Sequence, residues 1–182
     1  MSELAVITTA TNFDKHIFEL FESCRKFRIV PITVGFEGRL LNGHVENKIL
    51  VQKVLPDIAK RYPITMYVDA FDCIIVDTAE AIVEEFKAID APIVFGAERY
   101  CFPQGREDLF PPSPTPYRFL NAGGFIGFTD HLIQFFNVMN PESWDRGITD
   151  QKFTQDFYFH NVHMIKLDYH CRIFQTMVNA DN

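Results

Sequence analysis

The chain has 182 residues, of which 47% are hydrophobic and 23% charged, a balance typical of one globular domain and not of a disordered segment. Its 24 acidic and 17 basic residues give a net charge of -7, which argues against binding to nucleic acid or to anionic membrane surfaces. Four scattered cysteines without a C-x-x-C spacing argue against a structural zinc site or a redox pair.

The elements are predicted from runs of apolar residues and from the turn residues between them. In chain order they are a strand at 4–11, a helix ending near 25, a strand at 28–34, a helix at 45–60, a strand at 64–68, a helix at 78–89, strands at 93–97 and 119–128, helices at 129–137 and 150–157, and a strand at 162–167. This alternation indicates a parallel-sheet α/β core, whose ligands bind at the carboxyl ends of the strands.

Helix starts and loops carry their own signals. Capping residues are predicted before three helices, at Asn12 and Asp14, at Asp77 or Thr78, and at Thr129. Residues 35–43 form a glycine-rich loop, and residues 102–117 form a proline-rich surface loop whose length is typical of a loop beside a site. The pair Gly123 and Gly124 interrupts the strand at 119–128, which lets the backbone approach a ligand or bulge the sheet.

Several familiar signals are absent from the sequence. It has no phosphate-binding P-loop, no G-x-G-x-x-G fingerprint, no H-E-x-x-H and no G-x-S-x-G, which argues against P-loop NTPases, zincins and α/β-hydrolases. It also lacks a basic start followed by an apolar stretch, and no window reaches about 18 apolar residues. Read alone, the sequence therefore predicts a cytoplasmic protein without a membrane span.

Two carboxylates, Asp69 and Asp72, stand three residues apart at the end of the strand predicted at 64–68. Burying an unpaired carboxylate costs several kcal/mol, so such a pair is exposed at a strand tip, matched by donors, or neutralised by a cation. Carboxylate oxygens suit Mn²⁺ or Mg²⁺, ions that usually keep open positions for a substrate diphosphate. The alternative is a pair of acids that caps a turn.

Three further side chains are candidates, and each has a structural alternative. Lys48 follows the glycine-rich loop in the first predicted turn of a helix, where it either binds phosphate or is solvated. Asp150 either caps the following helix or lies near a reacting sugar. His170 is either a metal ligand or a hydrogen-bonded structural histidine.

Read together, five segments resemble the glycosyltransferase domain of the multifunctional procollagen lysyl hydroxylases, and less closely the collagen galactosyltransferases. They are similar to the family motifs Val-Asp-Ser-Tyr-Asp, Ala-Glu-x-x-Cys-Trp-Pro, Phe-Leu-Asn-Ser-Gly-Gly-Phe-Ile-Gly, Asp-Asp-Gln, and Leu-Asp followed by Arg-Ile-Phe-Gln. Here they lie at residues 68–72, 97–103, 119–127, 149–151, and 167–168 with 172–175. The resemblance spans residues 4 to 176 in the same order.

The resemblance implies a single glycosyltransferase domain of the GT-A type, with a Rossmann-like, mixed but mostly parallel sheet flanked by helices. It implies transfer of a hexose from a UDP-sugar to a hydroxyl, on collagen hydroxylysine or on its galactose. Asp69 and Asp72 would bind Mn²⁺ or Mg²⁺, and Asp150 matches the catalytic acidic run. The implied donor-binding residues are Thr11, Lys48, Phe71, Asn121, Gly123 and Gly124.

The sequence departs from the family pattern at three points. Phe102 stands where the family has tryptophan, and the acidic run is reduced to Asp150. The family's third metal ligand, a histidine in a His-Gly-Asn-Gly stretch, lies beyond Asn182, so we expect residues 1–182 to be a domain truncated at its C-terminus.

These departures leave other functions open. One alternative is a UDP-sugar-binding accessory or pseudoenzyme domain without turnover. A metal-dependent nucleotidyltransferase would need a nucleotide-triphosphate loop that the sequence lacks. The family analogy places the protein in a secretory lumen, in contrast to the cytoplasmic prediction from the sequence read alone.

Overall fold

The computed structural model describes residues 2–11, 15–35 and 44–177, and the elements below are those of these residues. The strands are β1 (Leu4–Thr9), β2 (Ile32–Val34), β3 (Ile64–Val68), β4 (Ile93–Glu98), β5 (Phe119–Phe128) and β6 (Ile165–Asp168). The α-helices are α1 (Lys15–Lys26), α2 (His44–Ile58), α3 (Ala79–Ile89), α4 (Thr129–Met139) and α5 (Asp150–His160). No helix in this part of the chain is long and apolar enough to cross a membrane.

The strands form one sheet in the order β2-β1-β3-β5-β4-β6. Strands β1 and β2, β1 and β3, and β4 and β6 pair in parallel, whereas β5 runs antiparallel to both β3 and β4. The mixed, mostly parallel sheet is therefore confirmed, and the expectation of a purely parallel core is wrong at β5. No α-helix connects β4 to β5, and without such a crossover the next strand pairs antiparallel.

Apolar side chains fill both faces of the sheet because helices cover both. One layer lies under α2, α4 and α5 and contains Tyr67, Phe95 and Phe125. The other lies under α1 and α3 and contains Val68 and Ile126. Since alternate residues of a strand point to opposite faces, the side chains of Tyr67 and Val68 enter different layers. The end of β3 therefore lies between two apolar layers, one on each face of the sheet.

Some predicted boundaries differ from the observed ones. The strand predicted at 28–34 begins only at Ile32, because Arg28 adopts a left-handed conformation with φ of 58° after α1. The last strand begins at Ile165, after a turn at residues 162–164. The predicted caps Asn12 and Asp14 lie outside the described residues, as does most of the glycine-rich loop.

The predicted cap of α3 is confirmed and that of α4 is wrong. The Thr78 hydroxyl accepts a hydrogen bond from the Ala81 backbone N–H. Helix α4 instead has Phe128 at its N-cap, without a side-chain hydrogen bond. The Thr129 hydroxyl is buried near the start of β3, where it shares a hydrogen bond with the Thr65 hydroxyl at 2.9 Å and donates to the Tyr62 carbonyl at 2.8 Å. These partners outcompete the helix start for the Thr129 side chain.

Candidate functional site

Asp69 lies just beyond β3, at the carboxyl end of the parallel strands. Its backbone N–H donates to the Gly123 carbonyl at 3.0 Å, and its Oδ1 accepts from the Tyr67 hydroxyl at 2.8 Å. Burial raises the pKa of the Asp69 carboxyl; the charge of Lys48 and the Tyr67 hydrogen bond oppose the rise, and two other carboxylates reinforce it. The end of β3 therefore concentrates negative charge that the described part of the chain balances only in part.

Lys48 brings a buried positive charge to this end of the sheet. The residue is 2% exposed and is the fifth residue of α2, one position further from the helix start than predicted. Its ammonium donates to the Ala122 carbonyl at 2.8 Å and lies 4.2 Å from the centroid of the Tyr67 ring. The solvated alternative is therefore wrong, because this lysine is enclosed by an aromatic face and a strand carbonyl.

Asp150 is the partner of that ammonium. Its Oδ2 lies 3.2 Å from Lys48 Nζ, and its side chain is 13% exposed. The capping alternative is wrong, since Thr149 is the N-cap of α5 and its hydroxyl accepts from the Lys152 N–H. Asp150 is instead the first helical residue, where the partial positive charge of the helix start also favours a carboxylate. The ion pair thus holds Asp150 where its charge acts on Asp69 and contributes to the raised pKa of that carboxyl.

The diglycine bulges the sheet, which is one of the two roles predicted for it. Phe125 pairs with Phe95, but Asn121 pairs with the very next residue of β4, Gly96, so three residues of β5 between them lack a partner in β4. A Cβ on Gly123 would lie 2.6 Å from Asp69 Oδ2, so glycine there makes room for the carboxylate.

Gly124 serves a different neighbour. A Cβ on Gly124 would lie 2.8 Å from Cδ1 of Phe174, so the missing side chain makes room for that ring and not for the acid pair. The structure thus gives Gly124 a packing role, and its donor-binding role stays a prediction.

A second polar group, around Glu98, was not predicted from the sequence. Glu98 accepts from the Gln151 amide at 2.6 Å and from the Asn121 amide at 3.3 Å. Asn121 Oδ1 in turn accepts from the Gly123 N–H at 2.9 Å. Burial raises the pKa of the Glu98 carboxyl against the effect of these amides. The signal in the sequence was the position of Glu98 within the motif at residues 97–103, to which no site role was assigned.

Other predicted residues lie at the edges of this region. Phe71 is 39% exposed, Asp72 is exposed, and Thr11 is half-buried two residues beyond the end of β1. His170 is exposed in the turn after β6. Among the described residues no three His, Cys, Asp or Glu side chains are arranged to hold a metal ion. His170 therefore does not complete the acid pair as a third ligand.

The acid pair itself has the chemistry of a site for Mn²⁺ or Mg²⁺. Asp69 Oδ2 receives no hydrogen bond from the described part of the chain, and burial raises the pKa of the Asp69 carboxyl, with a smaller contribution from the charge of Asp72. Two carboxylates leave most coordination positions to water and diphosphate oxygens, as these ions commonly require. The residues present therefore fit such an ion.

Comparison with known proteins identifies relatives of this chain. A family model described as "PLOD GT domain" matches residues 1–182. The human multifunctional procollagen lysine hydroxylase and glycosyltransferase LH3 is 28% identical over 98% of this chain, which spans 26% of the length of that relative.

Two solved structures share the fold. A glycosyltransferase involved in glycosylation of the major capsid of PBCV-1 is 12% identical with a TM-score of 0.57, over 90% of this chain and 81% of the other. A 4-diphosphocytidyl-2C-methyl-D-erythritol synthase from Anaerococcus prevotii is 10% identical with a TM-score of 0.52, over 98% and 94%. These likenesses confirm the predicted GT-A-type α/β fold.

Proposed function

The chain belongs to the PLOD GT domain family of glycosyltransferases, and from that premise we propose that it transfers a hexose from a UDP-sugar to a hydroxyl acceptor with the help of Mn²⁺. The observation that supports this most is the grouping of Asp69, Lys48 and Asp150 at one end of the sheet. A donor diphosphate needs positive charge, and a reacting sugar needs a carboxylate beside it. This grouping offers both within one buried network.

In this proposal Asp69 and Asp72 hold the divalent cation. When bound, the cation neutralises the negative charge that develops on the leaving nucleoside diphosphate, with Mg²⁺ as a substitute for Mn²⁺. Phe71 and Thr11 contact the nucleotide, and Asn121, Gly123 and Gly124 border the donor. These roles follow the family resemblance at the matching positions.

Lys48 and Asp150 act on the two opposite charges that develop as the bond between the sugar and the diphosphate breaks. Lys48 adds a positive charge to the diphosphate side, where an ammonium strengthens the effect of the cation. Asp150 faces the positive charge that develops on the sugar, and this interaction is stronger in the transition state than in the ground state. The ion pair between the two side chains keeps Asp150 oriented until the donor enters.

A second candidate function is a domain that binds a UDP-sugar without turnover. The specific observation in its favour is that Lys48 and Asp150 pair with each other at 3.2 Å, so both candidate groups already have a partner. The family's acidic run is also reduced to this single aspartate. Turnover therefore has to be measured separately from binding.

The relatives support a proposal for the acceptor and for the location. Procollagen modification by LH3 and related enzymes supports a collagen-like acceptor, either hydroxylysine or its galactose. A collagen-like acceptor is handled in the secretory lumen, so the proposal places the domain there and sets aside the cytoplasmic prediction.

The donor is tested by thermal unfolding with UDP-glucose, UDP-galactose, UDP-N-acetylglucosamine and UDP-glucuronate, each with and without Mn²⁺. The preferred donor raises the melting temperature most, since binding stabilises the folded state in proportion to the logarithm of ligand concentration over Kd. Absence of any Mn²⁺-dependent shift would contradict the proposal.

Turnover is tested with Asp150→Asn. We expect donor binding within about twofold of the parent and transfer or donor hydrolysis lowered by about 100-fold, because the carboxylate acts on the transition state. The matched control is Asp130→Asn, which changes a first-turn carboxylate of α4 and should leave turnover unchanged. Unchanged turnover in Asp150→Asn would remove Asp150 from catalysis, whereas donor binding without turnover in the parent would favour the binding domain.

A further inference from the structure

A chain of buried hydroxyls leads to the candidate cation ligand. The Tyr67 side chain is fully buried in β3, and its ring stacks on Phe125 with centroids 5.0 Å apart. Its hydroxyl contacts Asp69 Oδ1 at 2.8 Å on one side and Thr9 Oγ1 at 3.0 Å on the other. Thr9, the last residue of the adjacent strand β1, is 4% exposed. Neither hydroxyl faces bulk solvent, so their partners are fixed by the fold.

The direction of these hydrogen bonds is determined by their chemistry. A carboxylate oxygen only accepts, so the single phenolic proton of Tyr67 goes to Asp69. The Tyr67 oxygen therefore accepts from the Thr9 hydroxyl. The order is Thr9 to Tyr67 to Asp69, and hydrogen bonds in such a series strengthen one another.

This series determines which carboxylate oxygen is available. Tyr67 occupies Oδ1, whereas Oδ2 lies in the space that the missing side chain of Gly123 leaves open. The Asp69 backbone N–H is itself tied to the Gly123 carbonyl, so the whole residue is held between β3 and β5. Loss of the phenolic proton would free the carboxylate to rotate about its side-chain bonds.

We propose that Tyr67 and Thr9 are positioning residues that orient Asp69 so that its Oδ2 meets a divalent cation. The inference rests on the proposed function, because it requires the acid pair to bind that cation. Polar partners behind a metal ligand typically change metal affinity by about 10- to 100-fold, because they fix the orientation of the ligand. Tyr67 would act in this way through a ring that is already immobilised by Phe125 and Lys48.

The test is Tyr67→Phe, which keeps the stacked ring and removes only the hydroxyl. Binding of Mn²⁺ to the protein with saturating UDP is followed by electron paramagnetic resonance of the free ion. We expect about tenfold weaker Mn²⁺ binding. In turnover assays the Mn²⁺ concentration for half-maximal rate should rise by the same factor, while kcat at saturating Mn²⁺ stays within about twofold.

The variant Thr65→Val distinguishes the positioning role proposed for Tyr67 from a purely structural one. Thr65 lies on the same strand and shares a buried hydroxyl pair with Thr129 at 2.9 Å, at the opposite end of β3. Its loss should lower the melting temperature without changing Mn²⁺ binding. Equal Mn²⁺ affinity in Tyr67→Phe and the parent would overturn the inference while leaving the proposed function intact.

Thr9→Val provides a second variant should Tyr67→Phe fold poorly. Removing the Thr9 hydroxyl leaves the hydrogen bond from Tyr67 to Asp69 in place. It weakens that bond only by removing the cooperative effect of the Thr9 hydroxyl, so we expect about twofold weaker Mn²⁺ binding. Unaltered affinity in Thr9→Val would remove Thr9 from the proposal. A parent protein that binds no Mn²⁺ with UDP would overturn the proposed function and this inference together.

Discussion

Two aspartates end parallel-running strands at the same end of the sheet, and their surroundings differ. Asp168 ends β6, is 2% exposed, and its carboxylate accepts three backbone N–H groups at 2.7 to 2.9 Å, from Arg172, Ile173 and Phe174. Asp69 follows β3 and accepts one side-chain hydrogen bond, from the Tyr67 hydroxyl. A carboxylate that backbone donors satisfy stabilises the fold, whereas one that lacks donors beside other acids is suited to a cation.

The largest expected effect on stability is that of Asp168→Ala. Three backbone donors would lose their acceptor, and the segment that packs Phe174 against Gly124 would lose its anchor. We expect a loss of about 3 kcal/mol in the free energy of unfolding, measured by urea denaturation. Asp168→Asn keeps one acceptor oxygen and should lose about half as much. Equal stability of Asp168→Ala and the parent would remove the distinction drawn between the two aspartates.

Lys48→Met is expected to have the next largest effect. It leaves Asp150 and the Ala122 carbonyl without their buried partner, which costs about 2 kcal/mol because Asp150 keeps some access to water. It should also weaken the binding of UDP-glucose by about tenfold and leave the binding of uridine unchanged, since only UDP-glucose presents a diphosphate.

The matched control for this prediction is Lys53→Met. Lys53 lies in the same helix, pairs with Glu142 at 3.2 Å and is exposed, so its loss should change neither stability nor binding measurably. If Lys48→Met weakens the binding of UDP-glucose and of uridine by the same factor, Lys48 does not face the phosphates.

The smallest expected effect is on the pH dependence of stability and concerns Glu98. Its number of hydrogen-bond donors lies between those of Asp168 and Asp69, because two side-chain amides donate to its carboxylate. Burial raises its pKa above the ordinary value of 4.5, so the unfolded chain releases this proton at lower pH than the folded protein does. The parent therefore loses stability relative to Glu98→Gln as pH rises through this interval. Urea unfolding of both proteins at pH 4 and pH 7 checks the sign, and a parent whose stability rises relative to Glu98→Gln between pH 4 and pH 7 would contradict it.

The sequence predicted most of the fold, because apolar runs and turn residues are local signals. Strands β3 and β5 and the start of α5 were predicted with their observed limits. The antiparallel direction of β5 was missed, since it depends on the long loop after β4 returning to the same end of the sheet without a crossover helix. Thr129 was misassigned because its partner Thr65 is distant in sequence.

The candidate site shows the same division between local and distant signals. Asp69, Lys48 and Asp150 were predicted from neighbouring residues, and the structure brings them together. Their mutual contacts were not predicted, because Lys48 and Asp150 are 102 positions apart in the chain, as their numbers show. The Tyr67 hydroxyl was also missed, since a tyrosine in an apolar strand has the pattern of a core residue.

The most direct test of the account measures two quantities on one preparation of Asp69→Asn: Mn²⁺-dependent UDP binding and the free energy of unfolding. We predict that binding weakens by more than about 100-fold, because losing a residue that binds the cation directly has a larger effect than losing a residue that only supports it. Stability should be unchanged or higher, because the raised pKa shows that the fold disfavours the charged Asp69 carboxylate. Parent-like binding, or a loss of stability as large as that of Asp168→Asn, would contradict the account.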